Sequence, residues 1–297
     1  MDKIFVPPIK IQGIKTKIVP LIRENVSLSQ NTVWIEPFMG SGVVGFNVAP
    51  CTAVFADINP YIIEFYNQIK QQKLNHSIVR AYLEEQGSIL SKKDDEYYYE
   101  VRRRFNQNHD PLDFLFLNRT CFNGMIRFNK NYEFNVPYGH KPQRFSKGYV
   151  TKIVNQVVHL EYLFKHNDWS FICQSFEKTI KMANKDSFIY CDPPYIGRHV
   201  DYYDSWDEKS ELNLCNALIS SEAMFMLSTW DHNQYRTNEY INIVWNFCNK
   251  FTKEHFYHVG AKENNRNPML EALLTNYTPV KTEKKFFNTN EQLTFPL

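Results

Sequence analysis

What this chain lacks narrows it first. Its six cysteines, Cys51, Cys121, Cys173, Cys191, Cys215 and Cys248, lie far apart and form no C-x-x-C pair. That spacing offers neither a zinc site nor a disulfide framework, so no metal is expected. They sit mostly in apolar runs and read as buried thiols. No uninterrupted apolar run reaches bilayer length. Lys10, Lys15 and Lys17 break the pattern that a secretory leader would need. A cytoplasmic protein, monomeric and without a membrane partner, is the expectation. Ten glycines and 14 prolines are too few for a low-complexity chain. No internal repeat is visible. The 297 residues, 43 % hydrophobic, suffice for one core domain with another appended.

The net charge of +2 is small, but its distribution is uneven. Residues 101–150 hold nine Lys/Arg against three acids, a local surplus of six, so the rest of the chain is net negative. The same window carries Phe114, Phe116, Phe122, Phe128, Tyr132, Phe134, Tyr138 and Phe145. A basic, aromatic-rich segment suits a nucleic-acid surface. A solvated face over a satellite core is the other reading.

Hydrophobic patterning gives the architecture. Thr32–Phe38 and Thr52–Ala56 read as strands, with Gly40-Ser41-Gly42 and a helix from Val43 between them. Pro60–Gln72 reads as a helix, with Ile63, Tyr66 and Ile69 on one face. This opens a doubly wound α/β sheet. From about residue 67 to residue 167 the strand pattern mostly gives way to helical spacing, as in Val150, Ile153, Val157, Leu160 and Phe164. Strands resume at Trp169–Cys173, Phe188–Cys191 and Met224–Thr229. Glu254–Val259 and Leu270–Tyr277 read as a late hairpin. The expected organisation is a Rossmann-like catalytic domain, residues 1–66 and 168–297, interrupted by a mostly helical insert, residues 67–167.

Two stretches carry chemistry. Gly40-Ser41-Gly42-Val43-Val44-Gly45 matches G-x-G-x-x-G after a strand, and Asp57 ends the next strand. Glycines let backbone approach a ligand, and the acid suits ribose hydroxyls. Taken alone, Asp57 is also a candidate helix N-cap. Glu36 precedes the loop. A carboxylate there repels pyrophosphate but can pair with an amino group, which favours S-adenosylmethionine over a dinucleotide. The second stretch is Asp192-Pro193-Pro194-Tyr195, directly after the apolar run Ser187–Cys191. Two prolines end the strand in a stiff turn and remove backbone donors. The Asp192 carboxylate and a proline carbonyl can accept both hydrogens of an NH2 group on a flat ring, and Tyr195 can stack on that ring. An ordinary strand-end turn is the competing reading.

In this order, Pro7–Lys15, Phe38–Gly42, the basic insert and Asp192–Tyr195 make the chain similar to the Dam-type, D12-class DNA adenine-N6 methyltransferases in their α arrangement of motifs. Gln12–Lys17, Leu117–Asn129, Cys173–Thr179 and Tyr195–Tyr202 resemble the EcoRV-type branch in particular. The resemblance implies a methyltransferase sheet with an inserted target-recognition domain, S-adenosylmethionine as cofactor and double-stranded DNA as partner. It implies that Ile11, Lys15, Glu36, Phe38, Gly40, Gly42, Asp57, Ser175, Phe176 and Asp192 line the cofactor pocket. Ile11 departs from the tryptophan of many relatives. Asp192, Pro193, Pro194 and Tyr195 would hold a flipped adenine. Lys10, Phe122, Asn123, Met125, Arg127, Pro137 and Tyr138 would face DNA. The implied site begins with GAT, with GATATC the implication of the nearest branch, in a restriction-modification setting. A cytosine-N4 enzyme, which usually has Ser in place of Asp192, remains an alternative, as does a catalytically silent DNA-binding relative.

Overall fold

The structure, a computed structural model, describes residues 3–29, 31–196, 206–256 and 268–279. Seven strands form one sheet: β1 (Val33–Glu36), β2 (Thr52–Asp57), β3 (Asp168–Cys173), β4 (Ser187–Cys191), β5 (Met224–His232), β6 (Asn249–Phe256) and β7 (Pro268–Thr275). Their order is β3-β2-β1-β4-β5-β7-β6. The first five run parallel. β7 lies antiparallel between β5 and β6, so the late hairpin pairs as expected. Its expected turn falls outside the described residues. Helices cover both faces of the parallel part. Every residue of β4 is therefore buried, and its sequence is a continuous apolar run rather than an alternating one.

The order in which strands are added reverses between β1 and β4, where β2 and β3 extend the sheet to one side and β4 and β5 to the other. In such sheets ligands bind beyond the carboxyl ends of strands at that crevice. Glu36, Asp57 and Cys191 end β1, β2 and β4, so the topology alone gathers both chemical stretches at one edge.

The helix expected from Val43 is shorter than the pattern suggested. After α1 (Val19–Asn25), which precedes β1, the expected helix is reduced to Gly45–Val48 (α2), because Pro50 follows at once. Gly45 lies so close to the sheet that a Cβ there would stand 2.1 Å from Phe55 and 2.4 Å from Glu36 Oε2. Helix α3 (Pro60–Lys70) is capped by Asn59, whose Oδ1 accepts from Tyr61 N at 3.0 Å and Ile62 N at 3.3 Å. Asn59 thus takes the capping role for which Asp57 was a candidate, and Asp57 is left for other work.

Between β2 and β3, after α3, come α4 (His76–Lys93), α5 (Asp95–Asn108), α6 (Pro111–Thr120) and α7 (Lys147–His166). Their buried side chains, among them Tyr98, Phe105 and Phe116, are continuous with Trp34 and Phe55 of the sheet in one core. A second core on the opposite face holds Ile35, Ile189, Leu214, Phe225 and Trp245. The N-terminal segment is sewn to both parts. Asn118 pairs with Lys10 N at 2.8 Å and Lys10 O at 2.9 Å, and Arg119 donates to Pro8 O at 3.1 Å. Gln156 donates to Val6 O at 2.7 Å, while Asn47 exchanges hydrogen bonds with Phe5 at 2.9 and 2.8 Å. Of the cysteines, Cys121, Cys191 and Cys215 are buried and Cys248 is half-buried, whereas Cys51 and Cys173 are exposed, against the expectation of buried thiols.

Gly45→Ala tests the close helix–strand approach. The added methyl should cost about 1–3 kcal/mol in urea unfolding, the usual range for overpacking. An unchanged unfolding midpoint would mean that α2 can move off the sheet.

Candidate active site

The glycine turn is built by positive backbone angles. Gly40 has φ +48° and Gly42 has φ +76°, conformations that a side chain disfavours. A Cβ on Gly42 would strike the Phe46 ring at 2.4 Å, and one on Gly40 would meet Ile11 Cδ1 at 3.1 Å. Ile11 therefore lies against the turn. Tyr66 of α3 donates its hydroxyl to Ser41 O at 2.6 Å and fixes the turn from below.

Asp57 faces the same turn. Its Oδ2 accepts from Gly40 N and its Oδ1 from Asn59 N, each at 2.9 Å. Burial raises its pKa and these backbone donors oppose the rise. Each oxygen keeps a further lone pair for a hydroxyl. Gln174 N donates to Asp57 O at 3.2 Å, which brings the end of β3 beside it. There α8 (Phe176–Ile180) begins after Ser175. Phe176 stacks on Phe38 with centroids 5.4 Å apart. Trp206, which the sequence reading did not select, packs on both, 5.6 Å from Phe38 and 5.5 Å from Phe176. Its indole N–H is held by Glu211 Oε2 at 2.5 Å.

Glu36 is more enclosed than a pocket-facing acid. It is 1 % exposed, and Trp34 Nε1 donates to its Oε2 at 3.0 Å. Burial, the largest cause, pushes its pKa up to about 8; the nearby Asp192 charge adds to the rise and the Trp34 hydrogen bond opposes it. A cation placed beside it would favour the ionised form.

Lys15 occupies the centre. Its Nζ lies 2.9 Å from Asp192 Oδ1, donates to Gly13 O at 2.9 Å and stands 4.9 Å from the Tyr195 ring centroid. It therefore ties the N-terminal segment, whose Ile11 lies against the glycine turn, to the Asp192–Tyr195 turn. Burial raises the Asp192 pKa, and the Lys15 ammonium works against that rise. Pro193 is buried and Pro194 is half-buried, so the turn is packed in place. Tyr195 is buried too, and its hydroxyl meets the carboxylate of Glu271 on β7 at 3.1 and 3.2 Å. Glu271 lies 76 residues away in sequence, and no local pattern points to it.

The insert's expected DNA-facing residues separate into two sets. Phe122 is 51 % exposed, and Asn123 and Pro137 are exposed. Met125 and Lys10 are half-buried, and burial is the main cause that lowers the Lys10 pKa to about 8. Isolated strand bridges Cys121↔Tyr138 and Phe128↔Phe134 fold residues 121–138 into a hairpin-like loop. Tyr132 at its tip is 63 % exposed, a residue the sequence reading placed only in the aromatic window. Tyr138 is instead turned inward, stacked on Tyr98 at 5.0 Å. Arg127 donates to Asn135 Oδ1 at 2.9 Å. The three clustered arginines also differ. Arg103 is exposed, Arg102 lies 4.7 Å from the Tyr99 ring, and Arg104 binds the buried Asp113 through two nitrogens at 2.8 and 2.5 Å.

With this arrangement in view, the chain belongs to the D12 class N6 adenine-specific DNA methyltransferases: the family model matches residues 12–265. The chain is 37 % identical over 199 residues to a DNA adenine methylase of Haemophilus influenzae, a match covering 64 % of this chain and 63 % of that protein. It is 29 % identical over 288 residues to the type II methyltransferase M.FokI of Planomicrobium okeanokoites, covering 91 % of this chain and 43 % of the relative. The chain thus spans less than two thirds of the length of either. Among solved structures, an rRNA methyltransferase of Streptomyces viridochromogenes superposes at a TM-score of 0.34 and 11 % identity, over 88 % of this chain and 83 % of the other. That likeness is too distant to carry an argument. Among the described residues no helix is long and apolar enough to cross a membrane, and no metal-holding cluster of His, Cys, Asp or Glu occurs.

Two measurements check this geometry. Glu36 has a folded pKa near 8 against an ordinary 4.5, so the folded state holds its proton more tightly. The stability linked to that proton is full below the ordinary value and is lost as pH rises through 8. Glu36→Gln keeps an acceptor for Trp34 and cannot ionise. Its melting temperature should match wild type near pH ~5 and exceed it increasingly toward pH ~9. A difference that is flat across this range would mean Glu36 is ionised throughout.

Arg104→Ala should destabilise the fold by about 3 kcal/mol, because it strands the buried Asp113 carboxylate. The same variant should leave the salt dependence of DNA binding unchanged. A flatter salt slope with an unaltered melting temperature would instead make Arg104 a phosphate contact.

Proposed function

We propose that this chain is a site-specific DNA adenine-N6 methyltransferase using S-adenosylmethionine. The observation that carries the reading is that, at the switch point of the sheet, the N-terminal segment sets Ile11 against the glycine turn and Lys15 against Asp192 and Tyr195. Residues 1–66 and 168–297 form the catalytic part, and residues 67–167 read the DNA. The target contains GAT; the resemblance to the EcoRV-type branch supports GATATC and a restriction-modification role. The protein acts as a monomer in the cytoplasm.

The site has the features that the cofactor needs. Gly40 and Gly42 allow close backbone approach, and Asp57 accepts from ribose hydroxyls. Phe38, Ser175 and Phe176 flank the adenine. Glu36 lies on the methionyl side, with Ile11 and Lys15 closing the pocket. When bound, the sulfonium supplies an already activated methyl group. The protein therefore has to position the acceptor.

Asp192 and the Pro193 carbonyl take the two amino hydrogens of an extruded adenine. Both acceptors favour a more tetrahedral nitrogen with an available lone pair. Lys15 favours the ionised, accepting form of Asp192 against the effect of burial. Tyr195 replaces the stacking lost on flipping. In-line geometry and fixed charges then supply the rate, without a covalent enzyme intermediate. Phe122, Asn123, Met125, Arg127, Pro137 and Lys10 form the DNA-facing surface. Tyr138 supports it from within.

Nucleoside analysis of plasmid treated with the protein and labelled cofactor should yield N6-methyladenine. N4-methylcytosine alone would select the cytosine reading, and cofactor binding without either product would leave a silent DNA-binding relative. Asp192→Ala should lose nearly all turnover while binding cofactor better than Asp57→Ala. The latter should lose roughly 1.5–3 kcal/mol of affinity by calorimetry, the scale of a charge-assisted hydrogen bond.

Arg127→Ala should narrow the affinity gap between the cognate site and one-base variants by about 1–3 kcal/mol. Equal weakening on cognate and random duplexes would assign Arg127 to phosphate. An intact gap with a lower melting temperature would confine Arg127 to holding Asn135.

A further inference from the structure

The methyl-transfer reading gives Tyr195 a role for its ring and none for its hydroxyl. That hydroxyl is within hydrogen-bond distance of both carboxylate oxygens of Glu271. Glu271 is 1 % exposed and stands between Leu270 and Ala272 on β7. On the intervening strand β5, its register partner is Trp230. Trp230 and the Tyr195 ring form a small buried cluster of their own. Thus the turn after β4, strand β5 and strand β7 all converge on one ring.

An acid is an expensive choice at this position. Burying a carboxylate costs more than burying an apolar side chain, unless directional hydrogen bonds offset it. Packing against Trp230 alone would be served by leucine or phenylalanine. What a carboxylate adds is a charge-assisted bond to the tip of the phenol. The hydroxyl lies on the long axis of the ring, so holding it fixes where the ring points. On the other side, the Lys15 ammonium lies 4.9 Å from the ring centroid and 2.9 Å from Asp192. Tyr195 is therefore held at its tip and flanked by the charged pair.

We propose that Glu271 is a positioning residue for base capture: it tethers the Tyr195 hydroxyl so that the ring stands beside Asp192, where an extruded adenine must stack. This rests on the adenine methyltransferase reading. Glu271 touches neither substrate nor cofactor; it acts through Tyr195.

The test uses the full chain and four variants: Tyr195→Phe, Glu271→Leu, Glu271→Gln and the Tyr195→Phe/Glu271→Leu double. The DNA probe is a GATATC duplex with 2-aminopurine at the target adenine, whose fluorescence rises when the base leaves the stack. Tyr195→Phe and Glu271→Leu should each reduce that signal and raise the KM for DNA about tenfold, with cofactor affinity unchanged. Glu271→Gln still offers an oxygen to the hydroxyl and should recover most of the loss. The double variant should be no worse than either single, because both remove one interaction. Glu271→Leu acting undiminished in the Tyr195→Phe background would overturn the proposal. So would a loss confined to melting temperature.

A second readout needs neither DNA nor turnover. In protein labelled with 3-fluorotyrosine, the resonance absent from Tyr195→Phe identifies position 195. That resonance should shift in Glu271→Gln. A shift, combined with no adenine methylation by the wild type, would reject the enzymatic reading and leave the tether standing. Methylation by the wild type with an unmoved resonance would reject the tether alone.

Discussion

Lys15 carries an ammonium group into a place almost closed to water, with 6 % of its side chain exposed. Burying such a charge costs on the order of several kcal/mol unless anions and carbonyls surround it. Here the compensation comes from Asp192 Oδ1 and Gly13 O, with the face of Tyr195 nearby. Those three groups belong to the N-terminal segment and to the turn after β4. The requirement to satisfy one cation therefore fixes their relative positions. Ile11, four residues earlier, is brought against Gly40 by the same segment. Much of the candidate site follows from where that segment must run.

The segment itself is placed by polar side chains rather than by secondary structure. Asn47 from the sheet layer holds Phe5, Asn118 and Arg119 from α6 hold Lys10 and Pro8, and Gln156 from α7 holds Val6. A strap with no helix or strand of its own must find partners for its backbone groups elsewhere. It finds them in both the sheet layer and the insert. Lys10 lies on this strap beside the hairpin-like loop, with its Cδ only 2.8 Å from where a Gly124 Cβ would be. Lys15 lies five residues on, at Asp192. One short stretch of backbone thus connects the surface proposed to read DNA with the turn proposed to hold the base.

How much of this could be read from sequence varies with range. The strands along the chain and the α/β class were legible because they follow from local periodicity, and the two candidate stretches stood out by their turn chemistry. Gly40, Gly42, Asp57 and Asp192 each end or follow a strand, and parallel topology brings strand ends together. Helix α2 shrank to one turn because Pro50 outweighed the apolar run. The roles of Tyr66, Trp206, Glu211 and Glu271 were not legible. Each acts across tens of residues, Glu211 also accepting from Trp245 Nε1 at 2.7 Å, and none sits in a pattern that announces it. The insert shows the same limit. The nine cations of residues 101–150 looked alike in a count, yet Arg104 is committed to Asp113 while Arg103 is exposed. Tyr138 looked like a surface aromatic and packs on Tyr98. Charge and aromaticity identify a kind of surface, but only packing says which members face outward.

Glu36 shows how a buried charge can be kept for use. Its neighbour Trp34 supplies one indole hydrogen bond, which does not offset full desolvation, and the carboxyl holds its proton up to about pH 8. Gly45 presses on the same oxygen from above, so no water layer can form there. A neutral acid in this position is compatible with a stable fold. It becomes an anion most readily when a cation arrives, because only then is desolvation met by a nearby opposite charge. The amino group of a methionyl ligand is such a cation. Under the proposed function, affinity and protonation at Glu36 are two descriptions of one equilibrium: ligand binding drives proton release, and raising the pH toward 8 lowers the cost of that release. The sheet places this acid at the end of β1, where the glycine turn begins. In the proposed site the strand end that orients the ligand also supplies its counter-charge.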